Sequence, residues 1–158
     1  MDGGFIHTDL VTRITSSGTI YVAAELSDIE FVGSGIVVNE VFLRVYRSTD
    51  GGTNFDVWGV LRDPTSGATE YRLEDFAIAE GDVDRAYVAF EVVPEFAPPE
   101  MLIARCDLTP DPAIWTFDDP YGDRDVRDVR LATDAAYRDD YRVYALAVVD
   151  PPASSGRL

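Results

Sequence analysis

At 158 residues the chain is long enough for an ordinary domain with its own core, and its 46% hydrophobic content suits a folded protein. All 13 basic side chains are Arg, set against 29 acidic ones, for a formal charge of −16. Such a surface repels phosphate backbones and anionic lipid, which argues against nucleic-acid binding and membrane adsorption. No stretch approaches the roughly 18 apolar residues of a membrane span.

The start, Met1-Asp2-Gly3-Gly4, lacks the basic segment and long apolar run of a signal peptide. Nothing beyond it reads as a helix of useful length. Twelve Gly and nine Pro fall between short runs that alternate or are rich in β-branched and aromatic residues, the signature of strands. The expected strands are 10–16, 19–26, 40–48, 55–61, 71–78, 85–93, 100–106, 114–117, 126–132 and 142–149. Turn residues separate most of them: Ser16-Ser17-Gly18, Asp50-Gly51-Gly52, Asp63-Pro64, Glu80-Gly81-Asp82, Ala97-Pro98-Pro99 and Pro110-Asp111-Pro112. The stretch 27–38 is longer and mixed, and reads as a loop or an extended hairpin.

The strands recur as a unit. Thr19-Ile20-Tyr21-Val22-Ala23-Ala24-Glu25-Leu26 resembles Arg85-Ala86-Tyr87-Val88-Ala89-Phe90-Glu91-Val92, and both resemble Arg142-Val143-Tyr144-Ala145-Leu146-Ala147-Val148-Val149. Each copy sets a Tyr before small and aliphatic residues, as in a strand buried on both faces. Val41-Phe42-Leu43-Arg44-Val45-Tyr46 parallels Met101-Leu102-Ile103-Ala104-Arg105-Cys106, after which Phe55 and Trp115 fall at matching places. Four short strands per repeat is how propeller blades are built. The expected architecture is therefore all-β, a partial β-propeller of four-stranded antiparallel blades. Blade one spans 9–63, blade two 70–120 and a partial blade three 125–150, with a flexible tail at 151–158. A β-sandwich shows strands at similar spacing and is the alternative. An unfinished blade exposes an edge strand, so completion by further chain, a protein partner or self-association into an oligomer is expected.

Ser48-Thr49-Asp50-Gly51-Gly52-Thr53-Asn54-Phe55 resembles the Asp-box, S-x-D-x-G-x-x-[WF], of sialidases, sortilin-type receptors and other BNR-repeat propellers. In that family the box occupies the turn between the third and fourth strands of a blade, the position it holds here. Ser48, Asp50, Gly52 and Phe55 are its structural residues. Asp50 can accept backbone N–H groups across its own turn, Gly52 can adopt a positive φ, and Phe55 can anchor the turn on the sheet. The second repeat departs from the pattern, since Leu108-Thr109-Pro110-Asp111-Pro112-Ala113-Ile114-Trp115 displaces the Asp and lacks the Gly. The resemblance implies a structural or binding module in a secreted or cell-surface setting. It implies, as the alternative, a fragment of a sialidase-like glycan-processing propeller or a glycan-binding surface.

Few residues point to chemistry. The only histidine, His7, stands near the start with no evident partners for a nucleophile and base, and is expected at the surface or a strand end. The only cysteine, Cys106, lies in an apolar run and reads as a small buried hydrophobe. One His and one Cys cannot form a transition-metal cluster, so no catalytic residue and no cofactor is assigned. The loop residues Asp118, Asp119, Asp123 and Asp125 are a candidate calcium site without EF-hand spacing, and the interleaved Arg124 and Arg127 favour local ion pairing instead. Trp58, Trp115, Tyr46, Tyr121, Tyr137 and Tyr141 can form a carbohydrate platform, but packing between blades explains most of them better.

Overall fold

In a computed structural model the described residues are 3–32, 34–61, 68–81, 83–108, 114–122, 126–133 and 143–149. They form ten strands: β1 (Gly3–Ile14), β2 (Ile20–Val32), β3 (Gly35–Ser48), β4 (Asp56–Leu61), β5 (Ala68–Ala79), β6 (Arg85–Pro94), β7 (Glu100–Asp107), β8 (Thr116–Asp118), β9 (Val126–Thr133) and β10 (Val143–Val149). No helix occurs among them. The chain is all-β, and every strand pairs antiparallel with its neighbour in sequence. The first sheet has the order β1-β2-β3-β4, the second β5-β6-β7-β8, and the third pairs β9 with β10.

Period-2 alternation decides how these sheets stack. On β6, Ala86, Val88, Phe90 and Val92 turn to one side and join Tyr21, Ala23, Leu43, Val45 and Leu61 of the first sheet. Tyr87 and Ala89 turn to the other side and join Val129 and Leu131 of the third. The second sheet is thus buried on both faces, between the first and the third. Trp58 of the first sheet and Trp115 of the second meet edge to face at 6.2 Å inside the first interface, with Tyr21 edge-on to Trp58 at 6.2 Å.

The stretch 27–38 is an extended hairpin. β2 and β3 continue their pairing through Ile29↔Val38, Phe31↔Ile36 and Val32↔Gly35. The third Tyr-bearing strand departs from the expected burial on both faces. Val143 and Ala147 pack on the second sheet, but Tyr144 is 54% exposed because no described sheet lies over its face.

Each first strand, β1, β5 and β9, carries a bulge, at Thr8, Glu74 and Arg127. Bulges bend a strand and sharpen its twist. The three first strands also run beside one another, β5 lying against β1 on one side and β9 on the other.

Phe90, fully buried between the first and second sheets, is expected to cost about 3–5 kcal/mol when changed to Ala. Phe96, 92% exposed in the β6–β7 turn, is expected to change stability by no more than about 0.5 kcal/mol when changed to Ala. Urea unfolding of F90A and F96A measures both.

Candidate functional site

The turn between β3 and β4 saturates its own polar groups. Asp50 Oδ1 accepts from the Ser48 hydroxyl at 2.8 Å and from the backbone N–H groups of Thr53 and Asn54 at 3.0 Å each. Its Oδ2 accepts from the Asn54 side-chain amide at 2.7 Å. Buried Ser48 in turn accepts from the Gly52 N–H at 2.9 Å. Gly51 and Gly52 have φ of 74° and 90°, the left-handed region that glycine enters at least cost. A Cβ on Gly52 would come no closer than 3.5 Å to any neighbour, so this position requires glycine for its backbone, not for space. The Asn54 amides, with Ser48 and Thr53, hold the Asp50 carboxyl at about 2, below its ordinary 3.8. Four donors on one carboxylate stiffen the turn.

Phe55, the last residue of this motif, lies on the face of the first sheet that points away from the second. With His7, Leu10, Val22 and Tyr46 it lines a shallow, almost wholly apolar hollow of about 520 Å³. Next to it the Arg44 guanidinium sits 5.3, 5.2 and 5.9 Å from the ring centres of Phe5, Phe42 and Tyr46, close enough for cation–π attraction. At the far end of the stack the third sheet presents Tyr144, Leu146 and Val148, all exposed. These two faces offer area for burial against another apolar surface. His7 lies in the hollow, its ring centre 6.0 Å from that of Tyr46.

No family model, curated protein or solved structure matches the chain.

A second set of residues escaped the sequence reading: a polar seam that joins the first strands of successive sheets. Buried Asp75 of β5 accepts from Arg13 of β1 at 2.8 Å, from the backbone N–H of Phe76 at 2.8 Å, and from the N–H of Leu131 on β9 at 2.8 Å. One carboxylate therefore touches all three sheets. Glu25 of β2 accepts from the Leu73 N–H at 3.0 Å, beside the bulge of β5. Glu80 accepts from the backbone and hydroxyl of Ser16, and the Thr133 hydroxyl donates to the Ile78 carbonyl at 2.8 Å. Burial pushes the Glu74 carboxyl up, with Asp128 and Glu91 adding to the effect and Arg130 opposing it. The available signal was the acidic pair Glu74-Asp75 set between Leu73 and the apolar run Phe76-Ala77-Ile78-Ala79, but composition alone cannot say what Asp75 pairs with.

The remaining candidates are placed as follows where they are described. Asp119 accepts from the N–H groups of Tyr121 and Gly122 at 3.2 and 2.7 Å, and Asp118 lies 3.7 Å from Arg105. Asp123 and Asp125 lie outside the described residues, as do Tyr137 and Tyr141 and the segment 151–158. Among the described residues no three His, Cys, Asp or Glu side chains gather as metal ligands, and no helix is long and apolar enough to cross a membrane. Cys106 is buried, and burial, then Asp107, pushes its thiol up to about 11. Trp58 and Trp115 are spent inside the stack, while Tyr46 faces the open hollow.

Two outcomes are expected. Because the folded Asp50 carboxyl titrates below its unfolded value, its contribution is present above about pH 4 and lost as pH falls toward 2. Asp50→Asn is expected to remove that part of the acid sensitivity, read from unfolding free energy against pH. Asp75→Ala leaves the buried Phe76 and Leu131 N–H groups unpaired and is expected to cost about 2–3 kcal/mol. Arg13→Ala, at a partly exposed partner, is expected to cost under about 1 kcal/mol, with denaturant unfolding separating the two.

Proposed function

We propose that the chain is a non-enzymatic structural or binding module of β-propeller type, whose open sheet faces are covered by further protein. The observation that carries this reading is a repeated orientation. Tyr21 of the first sheet packs toward the second, and Tyr87 of the second packs toward the third. A two-sheet sandwich buries one face of each sheet, whereas here the middle sheet is covered on both. Sandwich domains of the immunoglobulin type exchange strands between sheets through Greek-key connections, whereas each sheet here takes its strands consecutively. The hydrogen-bonded seam along β1, β5 and β9 gives the stack a common inner edge, as in blades set around an axis.

The reading also accounts for where apolar surface is left. Leu10, Phe55, Val57 and Val60 on one outer face, and Tyr144, Leu146 and Val148 on the other, are exposed in the isolated chain. Contiguous apolar patches of this kind mark interaction surfaces. The saturated β3–β4 turn and the hollow beside it supply shape and area, which suits scaffolding or binding.

At micromolar concentration the isolated chain is expected to associate or to bind a hydrophobic dye such as ANS. Sedimentation and dye fluorescence read these two properties. A chain that stays monomeric at all concentrations and binds no dye, with a sharp melting transition, overturns the reading.

A further inference from the structure

The two open faces of this chain are the two halves of an interface it already makes twice. In the stack, each sheet presents its Tyr-bearing face to the sheet that follows and receives it with the opposite face. Val88 and Trp115 are the receiving residues of the second sheet, packed in the core shared with the first. By position in the repeat their counterparts in the first sheet are Val22 and Phe55, and both line the open hollow. The first sheet therefore ends the described stack with a receiving face over which no described sheet lies, Phe5 and Arg44 covering Phe42 at one end and leaving the hollow at the other. The third sheet ends it with a presenting face, since Tyr144 stands where Tyr21 and Tyr87 stand.

The residue after next sharpens the match. In the two interfaces within the chain it is Ala23 or Ala89, both buried. In the third sheet it is Leu146, 75% exposed and flanked by exposed Tyr144 and Val148. A projecting aliphatic side chain on one end of the molecule thus answers a hollow of about 520 Å³ on the other. The third copy also has Val148 where the others have Glu25 and Glu91, so the charges on that face come from β9, where Asp128 and Arg130 stand opposite Val148 and Leu146 and pair with each other at 2.8 Å.

Building on the propeller-type reading above, we propose that the covering protein is a second copy of this chain, stacked head to tail with the third sheet of one copy on the first sheet of the next. The contact is heterologous, using two different patches, so it propagates to a closed ring or an open filament according to the rotation per copy. Each copy carries a charge of −16, so association is expected to strengthen with salt as that repulsion is screened.

The test uses Leu10→Asp, on the receiving face, and Leu146→Asp, on the presenting face. Leu10 is 56% exposed and Leu146 75%, so each substitution is placed to leave the fold intact, which far-UV circular dichroism and melting check. Val57→Asp and Val148→Asp, also at exposed positions, form a second pair should either of the first misfold. In high salt the wild type is expected to sediment as multiples of 17.4 kDa, and each variant alone as a monomer. An equimolar mixture of the two variants is expected to form a species of twice the monomer mass, because the mixture retains one intact face of each kind. If one variant alone associates like the wild type, or if the mixture stays monomeric while the wild type associates, the head-to-tail contact is overturned and the propeller-type reading stands. A wild type that is monomeric but binds ANS also overturns the second copy alone. A monomeric wild type that binds no dye overturns both.

Discussion

The structure depends on one strand being apolar on both of its faces. β6 sends Ala86, Val88, Phe90 and Val92 to one side and Tyr87 and Ala89 to the other, and all of them are buried. Each large side chain among them gains about 1.5–3 kcal/mol by leaving water. A strand of that composition gains most with a layer on either side, and the sheet that holds β6 has both. Those layers are supplied by the sheet before it and the sheet after it in the chain. The stack follows from this, and so does its consequence: the outer sheets share the same two-sided composition and have one face each left to cover.

Hydrophobic burial carries little directional information, and apolar sheets alone could slide over one another. The polar seam removes that freedom. Asp75 fixes the first, second and third sheets against a single carboxylate, while Glu25 of β2, Glu80 at the end of β5 and Thr133 of β9 add further bonds between successive sheets. A buried carboxylate is tolerated only when its acceptor sites are filled, and Asp75 fills its own with one guanidinium and two backbone N–H groups. Specificity of stacking thus rests on a few polar atoms, and its energy on the apolar faces around them.

The β3–β4 turn works on the same principle at a smaller scale. Its carboxylate accepts four hydrogen bonds from the turn itself, which stiffens the β3–β4 connection and sets Phe55 on the open face beside Tyr46. The high negative charge acts in the opposite sense to the apolar faces, since like-charged molecules repel one another most at low salt. Any assembly of this protein is a balance between those two terms.

Local pattern was enough to locate the strands, because side-chain alternation and turn residues act over a few positions. All ten expected strands are present, and Gly52 has the positive φ that its place in the turn implied; Gly51 shares that conformation, which the motif did not announce. The matching places of Phe55 and Trp115 were also readable, since each immediately precedes the last strand of its sheet. Two things were not readable. The burial of Tyr144 could not be inferred from its likeness to Tyr21 and Tyr87, because burial depends on whether another sheet lies over it. The role of Asp75 was hidden because its partners, Arg13 and Leu131, lie far away along the chain. Sequence alone determined which residues extend, turn and alternate, through forces that act between near neighbours. Only the tertiary structure decided which faces meet, which carboxylate joins three sheets and which two surfaces stay open, because those outcomes belong to pairs of elements brought together from distant parts of the chain.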